Sequence, residues 1–366
     1  MAVRVLVVDD SDLCRMVLKD ILEADPGLEV VGEAGDGVSA VDLVERLRPD
    51  VVTMDIQMPG MDGLETIEAI MGRQPVPILV VTSQPAGPGS ALVFEAIHCG
   101  AMDVAEKPAD GDERAAADIR ARLRELAGVP PVLHPRRARR PAAPPGPRIL
   151  AVWDGAASPR EGDQGPVSSW PAVAVAPRVV GVGASAGGPA AVASLLEPLP
   201  ADFPACVVVV QHLAQGFTEP FVRYLSQRVR MPVTLVREAA PCQPGTVLVA
   251  PDGRHLLAVP GGSAFAVVDG PEVEGHKPSV TTLFRSLAAV HGPAAMGVLL
   301  TGMGRDGADG LKEIRDRGGM TLAQDQATSA VWGMPQAAVE LGAVTRVLPL
   351  DLMPAALVQA AAHGKL

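Results

Sequence analysis

The segment Val179-Val180-Gly181-Val182-Gly183-Ala184-Ser185-Ala186-Gly187-Gly188-Pro189 constrains this chain more than any other. Its pattern predicts a short apolar strand, a glycine-rich turn and a helix opening at Pro189, where a missing N–H costs nothing. Such a turn delivers the hydroxyl of Ser185 to the carboxyl end of a strand and the amino end of a helix. Outward-pointing N–H groups there favour developing negative charge, as a serine nucleophile requires. A glycine turn that cradles a pyrophosphate has the same form, and the segment alone leaves the two readings level.

The rest of the chain limits the setting. Its 366 residues predict two or three domains. With 48% hydrophobic and 20% charged residues it is globular rather than disordered, and a net charge of −11 argues against nucleic acid as a partner. No apolar run reaches the roughly 18 to 20 residues of a membrane span, and the N-terminus turns acidic at Asp9, too early for a signal peptide. The expectation is a cytoplasmic protein without membrane insertion. Cys14, Cys99, Cys206 and Cys242 lack metal spacing and read as reduced thiols.

From the N-terminus, predicted strands alternate with helices: Val3 to Val8, Glu29 to Glu33, Val51 to Met54, Ile78 to Val81 and Asp103 to Ala105. This is the pattern of a doubly wound, five-stranded parallel sheet, whose functional groups collect beyond the strand carboxyl ends. Asp9-Asp10, Asp55, Thr82 and Lys107 all fall at or just beyond such ends. Clustered carboxylates beside a lysine are costly to ionise unless a cation joins them, and hard oxygen ligands suit Mg²⁺. Asp55 then serves as a phosphoryl acceptor, with the metal, Lys107 and Thr82 balancing charge. Residues 1–122 resemble a response-regulator receiver domain. The resemblance implies Asp55 as phospho-acceptor, Asp9, Asp10 and Asp55 around the metal, and Thr82 and Lys107 as phosphate-sensing residues. The position three before Lys107, usually aromatic in that family, is Val104, which puts an inward-swinging ring in question.

Helical periodicity continues from Asp112 to Leu126. Residues 123–177 then read as a Pro/Arg/Ala-rich linker, in which the cluster Arg136 to Arg140 is either a docking site for an acidic partner or ordinary linker solvation. The second domain, 178–366, again alternates strands and helices. It is expected to be doubly wound, mostly parallel α/β. Strands ending at Val210 and Leu300 lead to His212 and Asp306. The fold rule therefore brings Ser185, His212 and Asp306 to one sheet edge, where hydroxyl, imidazole and carboxylate form an acyl-transfer triad. Backbone N–H groups in the loops 186–188 and 303–304 are candidates for the oxyanion hole, and Arg223, Arg254 and Arg305 for attraction of an acidic substrate.

The motifs GVGASAGGP, VVVVQHL, KPSVTTLF, LTGMGRDGADG and SAVWGMP resemble the catalytic domain of the chemotaxis protein-glutamate methylesterases, the CheB family. The order receiver, linker, esterase is also that family's. The resemblance implies hydrolysis of glutamate methyl esters on chemoreceptor cytoplasmic domains, often with glutamine deamidation. It implies phosphorylation by a chemotaxis-type histidine kinase and shielding of the esterase site by the unphosphorylated receiver. Carried over by motif, Ser185 is nucleophile, His212 base and Asp306 orienting carboxylate, with Ala186 and Met303 at the oxyanion site and active-site rim; no cofactor is expected in the esterase site. Two other classes fit worse. A dinucleotide-binding regulator needs an acidic residue closing the strand where His212 stands, and a DNA-binding response regulator needs a basic helical output module.

Overall fold

The computed structural model describes residues 2–83, 90–109, 111–129 and 175–362. Most of the expected linker, including Arg136 to Arg140, lies outside the described residues. The first unit runs β1 (Val3–Val8), α1 (Asp12–Glu23), β2 (Leu28–Ala34), α2 (Gly37–Leu47), β3 (Val51–Met54), α3 (Gly63–Arg73), β4 (Ile78–Thr82), α4 (Ser90–Cys99), β5 (Asp103–Glu106) and α5 (Glu113–Leu126). Its five strands pair in parallel in the order β2-β1-β3-β4-β5. β3 and β4 are buried along their whole length, as strands covered by helices on both faces must be. Carboxylate caps set helix starts: Asp36, Asp62 and Asp112 accept from the N–H groups of Ser39, Glu65 and Ala115. Helix α5 ends at Leu126, as its periodicity predicts, and Leu123 and Leu126 belong to the core beneath the sheet.

The second unit comprises β6 (Val179–Ala184), α6 (Gly188–Leu196), β7 (Cys206–Gln211), α7 (Thr218–Ser226), β8 (Val233–Leu235), β9 (Ala239–Pro241), β10 (Val247–Val249), β11 (His255–Ala258), β12 (Ala264–Val268), α8 (Val280–His291), β13 (Ala295–Leu299), α9 (Ala308–Asp316), β14 (Met320–Gln324), α10 (Met334–Glu340), β15 (Arg346–Leu348) and α11 (Met353–Ala362). Seven strands form a parallel sheet, β15-β14-β13-β6-β7-β10-β8. From β6 the order runs outward one way through β7 and the other way through β13. Such a reversal opens a crevice at the strand carboxyl ends. Strands β11, β12 and β9 make a small antiparallel sheet that the sequence reading did not foresee. They are short and only partly buried, so their apolar alternation is weak.

The glycines of the opening segment serve packing. A Cβ on Gly183 would lie 2.2 Å from Cγ1 of Val280, so the bare backbone lets α8 lie directly on β6. Gly187, at φ 72°, turns the chain into α6 through the left-handed region.

Helix α4 of the first unit packs against α6 and α7 of the second. Phe94, fully buried, lies 5.7 Å from the ring of Phe221 and 5.4 Å from that of Tyr224. The Gly187 N–H donates to the carbonyl of Met102 across the same boundary at 2.9 Å. Val104 is buried within β5, and the aromatic contact between the units comes from α4. A Gly183→Ala substitution pushes a methyl into a β-branched neighbour and is expected to cost about 1–3 kcal/mol. Urea unfolding of the full chain checks this; a wild-type midpoint would contradict the close approach of α8.

Candidate active site

The sheet registers three loops against one another. Beyond β6, the Ser185 N–H donates to Thr301 O at 3.0 Å, and beyond β7 the His212 N–H donates to Ala184 O at 3.0 Å. The ladder thus continues one step past the strand ends and holds both residues beside the loop that carries Asp306. The buried side chain of Gln211 ties the same loops, its Nε2 donating to Ser185 O at 2.8 Å and His212 O at 3.0 Å.

Asp306 is 1% exposed and accepts four hydrogen bonds. Ser279 Oγ (2.8 Å) and the Thr281 N–H (2.9 Å) reach Oδ1; the Val280 N–H (2.7 Å) and His212 Nε2 (2.9 Å) reach Oδ2. Burial pushes its pKa up, but the hydrogen bond and charge of His212, with the backbone donors, win and hold it well below the usual carboxylate range. An ionised acceptor at Nε2 fixes the Nε2–H tautomer of His212. Its other nitrogen, Nδ1, is buried and has no hydrogen-bond partner among the described residues. An imidazole lone pair is therefore held ready on the side away from Asp306.

Ser185, Ala186, His212 and Met303 line one cavity of about 500 Å³, walled on its other side by Asp103, Glu106 and Arg122 of the first unit. Ala186 is buried, while Met303 is 38% exposed, in keeping with a place at the rim. Arg122 is committed to Asp103 (2.5 Å) and Asp118 (2.7 Å), and Arg305 to Asp309 at 3.3 Å.

The sequence reading missed His276, whose ring is stacked on His212 with centroids 3.8 Å apart and planes 9° from parallel. Burial, with the nearby charges of His212 and Arg122, lowers its pKa to about 4 against the pull of Asp306. It also gave no role to Ser279, although a serine just ahead of an apolar helical run is a legible N-cap. Here that hydroxyl accepts from the Thr282 N–H at 3.2 Å while donating to Asp306.

At the edge of the first sheet, Asp9, Asp10 and Asp55 bring oxygens within 4.8 Å of one another. Lys107 Nζ pairs with Asp9 at 2.6 Å and Asp55 at 3.0 Å, and its N–H donates to Thr82 O at 2.8 Å. Burial raises the pKa of Asp55 despite Lys107. Burial opposes the charge of Lys107, which its two carboxylates nevertheless stabilise. Thr82 is buried at the end of β4. Three hard oxygen donors facing one ammonium suit a divalent cation such as Mg²⁺.

Fold and arrangement together describe a response-regulator receiver joined to an esterase domain of α/β class. The family model for the response regulator receiver domain matches residues 5–117, and that for CheB methylesterase matches residues 180–357. Protein-glutamate methylesterase/protein-glutamine glutaminase 2 of Anaeromyxobacter dehalogenans (strain 2CP-C) is 48% identical over 97% of this chain and 96% of its own length. The relative of that name in Koribacter versatilis (strain Ellin345) is 38% identical over 99% of this chain and 97% of its own. The crystal structure of the Thermotoga maritima CheB methylesterase catalytic domain aligns at 32% identity with a TM-score of 0.49, covering 50% of this chain and 99% of that one. The chain belongs to the CheB family of protein-glutamate methylesterases.

The depressed pKa of His276 has a pH signature. Between its ordinary 6.5 and about 4, the unfolded chain takes up a proton there and the folded chain does not, so folded stability falls as pH falls through that window. Urea midpoints at pH 7 and pH 5 should therefore drop more in the wild type than in His276→Phe; His291, also lowered, is common to both. Equal drops would contradict a neutral, half-buried His276.

Proposed function

We propose that this chain hydrolyses glutamate methyl esters on chemoreceptor cytoplasmic domains, releasing methanol, and deamidates receptor glutamines by the same chemistry under control of phosphorylation at Asp55. The observation that carries the chemistry is the buried Nδ1 of His212, without a partner among the described residues and oriented through Nε2 by Asp306 in the cavity that Ser185 lines. Nδ1 takes the Ser185 proton as Oγ bonds to the ester carbonyl carbon. The carbonyl electron pair moves onto oxygen, and we assign its stabilisation to the backbone N–H groups of Ala186 and Met303. Collapse of this intermediate expels methanol, or ammonia from an amide, carrying the proton that His212 returns. A water then repeats the sequence on the acyl-serine, freeing the glutamate carboxylate and regenerating the hydroxyl. Asp306 stays ionised throughout and supports the transient imidazolium. These steps need no metal or cofactor in the esterase cleft.

The receiver domain is of a kind that uses Mg²⁺ in phosphorylation. Asp9, Asp10 and Asp55 are assigned as its holders, and bound there it supplies positive charge for the incoming phosphoryl group. Thr82 and Lys107 are assigned to the incoming phosphate oxygens, a role supported by the pairing of Lys107 with Asp55. A chemotaxis-type histidine kinase is the proposed phosphodonor and the cytoplasm the proposed location; among the described residues no helix is long and apolar enough to cross a membrane. Shielding of the esterase by the unphosphorylated receiver is supported by the wall that Asp103, Glu106 and Arg122 make and by the Met102 carbonyl held on the Gly187 N–H. Phosphorylation adds close to two negative charges beside Lys107 and biases the packed helix α4 away from this contact.

Ser185→Ala should lower methanol release on the order of 10⁴ to 10⁶-fold in a folded protein. Near-wild-type release from a methylated receptor fragment would remove the nucleophile assignment. Acetyl phosphate with Mg²⁺ should activate the full chain and leave Asp55→Asn at its basal rate. Equal activation of both proteins would place the phosphorylation elsewhere.

A further inference from the structure

His276 belongs to none of the roles above, yet it covers the face of the base. It closes a two-residue hairpin: Val273 and His276 exchange N–H···O bonds at 3.1 Å in both directions. The turn residues Glu274 and Gly275 both have positive φ, 54° and 79°, the pattern of the tight hairpin turn that matches strand twist. A non-glycine residue in that region carries strain, and Glu274 holds it here. The same short segment continues to Ser279, Val280 and Thr281, three of the four donors to Asp306. One stretch of chain therefore grips the carboxylate while laying a flat ring on the imidazole that the carboxylate orients.

We infer that His276 is a positioning residue for the esterase reaction, its ring stacked on His212 to hold the base in one plane with Nδ1 on the side away from Asp306. Asp306 fixes only one edge of the His212 ring. A single hydrogen bond leaves rotation about that contact open, and a parallel ring at 3.8 Å removes it. His276 can do this without competing for the serine proton, since it stays neutral down to about pH 4. Shape, not basicity, is what the position demands.

This inference rests on the esterase reading, and the test separates the two. Methanol release from a methylated receptor fragment is measured for the full chain with acetyl phosphate and Mg²⁺, comparing wild type, His212→Gln, His276→Ala, His276→Gln and His276→Phe. Loss of the stacked ring should lower kcat on the order of 10 to 10²-fold in the Ala and Gln variants with KM unchanged, the scale of a misplaced catalytic group. His276→Phe, which keeps a flat ring, should stay within about threefold of wild type by the same argument. If the Ala variant does not fold, the Gln and Phe pair decides. No methanol from the wild type would overturn the esterase reading itself. A wild-type rate in folded His276→Ala or His276→Gln, or a Phe variant as slow as Gln, would overturn the positioning role while leaving that reading intact.

Discussion

The esterase half is organised by the satisfaction of one buried carboxylate. Asp306 sits almost without solvent, where an ionised group is tolerable only if its lone pairs are taken up. Two backbone N–H groups from the first turn of α8, the Ser279 hydroxyl and the His212 ring supply four donors. Helix α8 must lie close to the sheet to bring its N-terminus there, and the absent side chains on Gly181 and Gly183 permit that approach. A helix N-terminus also favours negative charge, so the placement that packs the domain is the one that keeps Asp306 ionised.

The tautomer of the base follows from this arrangement. Because the carboxylate engages Nε2, the nitrogen left with the lone pair is Nδ1, the one nearer the backbone. The cavity that His212 and Ser185 line is walled by α5 and the end of β5 of the receiver. The receiver adds an apolar anchor at Phe94, on α4, and a polar one at the carbonyl of Met102, just ahead of β5. The loop that carries Ser185 is thus tied directly to the packing of α4 and β5, without any long relay.

Both domains were legible in the sequence because buried parallel strands leave continuous apolar runs and place chemistry at their carboxyl ends. Ser185, His212 and Asp306 could be grouped by that rule, as could Asp9, Asp55, Thr82 and Lys107. His276 could not, for it follows no buried strand and reaches the site from a two-residue hairpin whose position depends on tertiary packing. Phe94 reads in sequence as an ordinary core residue of an amphipathic helix; nothing in its periodicity says that its core is shared with another domain. The glycines of the opening segment were ambiguous for a related reason. Their role is set by what packs on them, and Val280 lies nearly a hundred residues away in the chain.

The central claim is that His212 is held as the Nε2–H tautomer with a free lone pair on Nδ1. Nitrogen-15 NMR of the imidazole rings in the full chain at neutral pH tests it directly, since protonated and lone-pair nitrogens resonate far apart. The account expects a protonated-type signal for Nε2 and a lone-pair signal for Nδ1 of His212, both lost from their positions in Asp306→Asn. A protonated Nδ1 in the wild type, or a tautomer indifferent to Asp306, would contradict it.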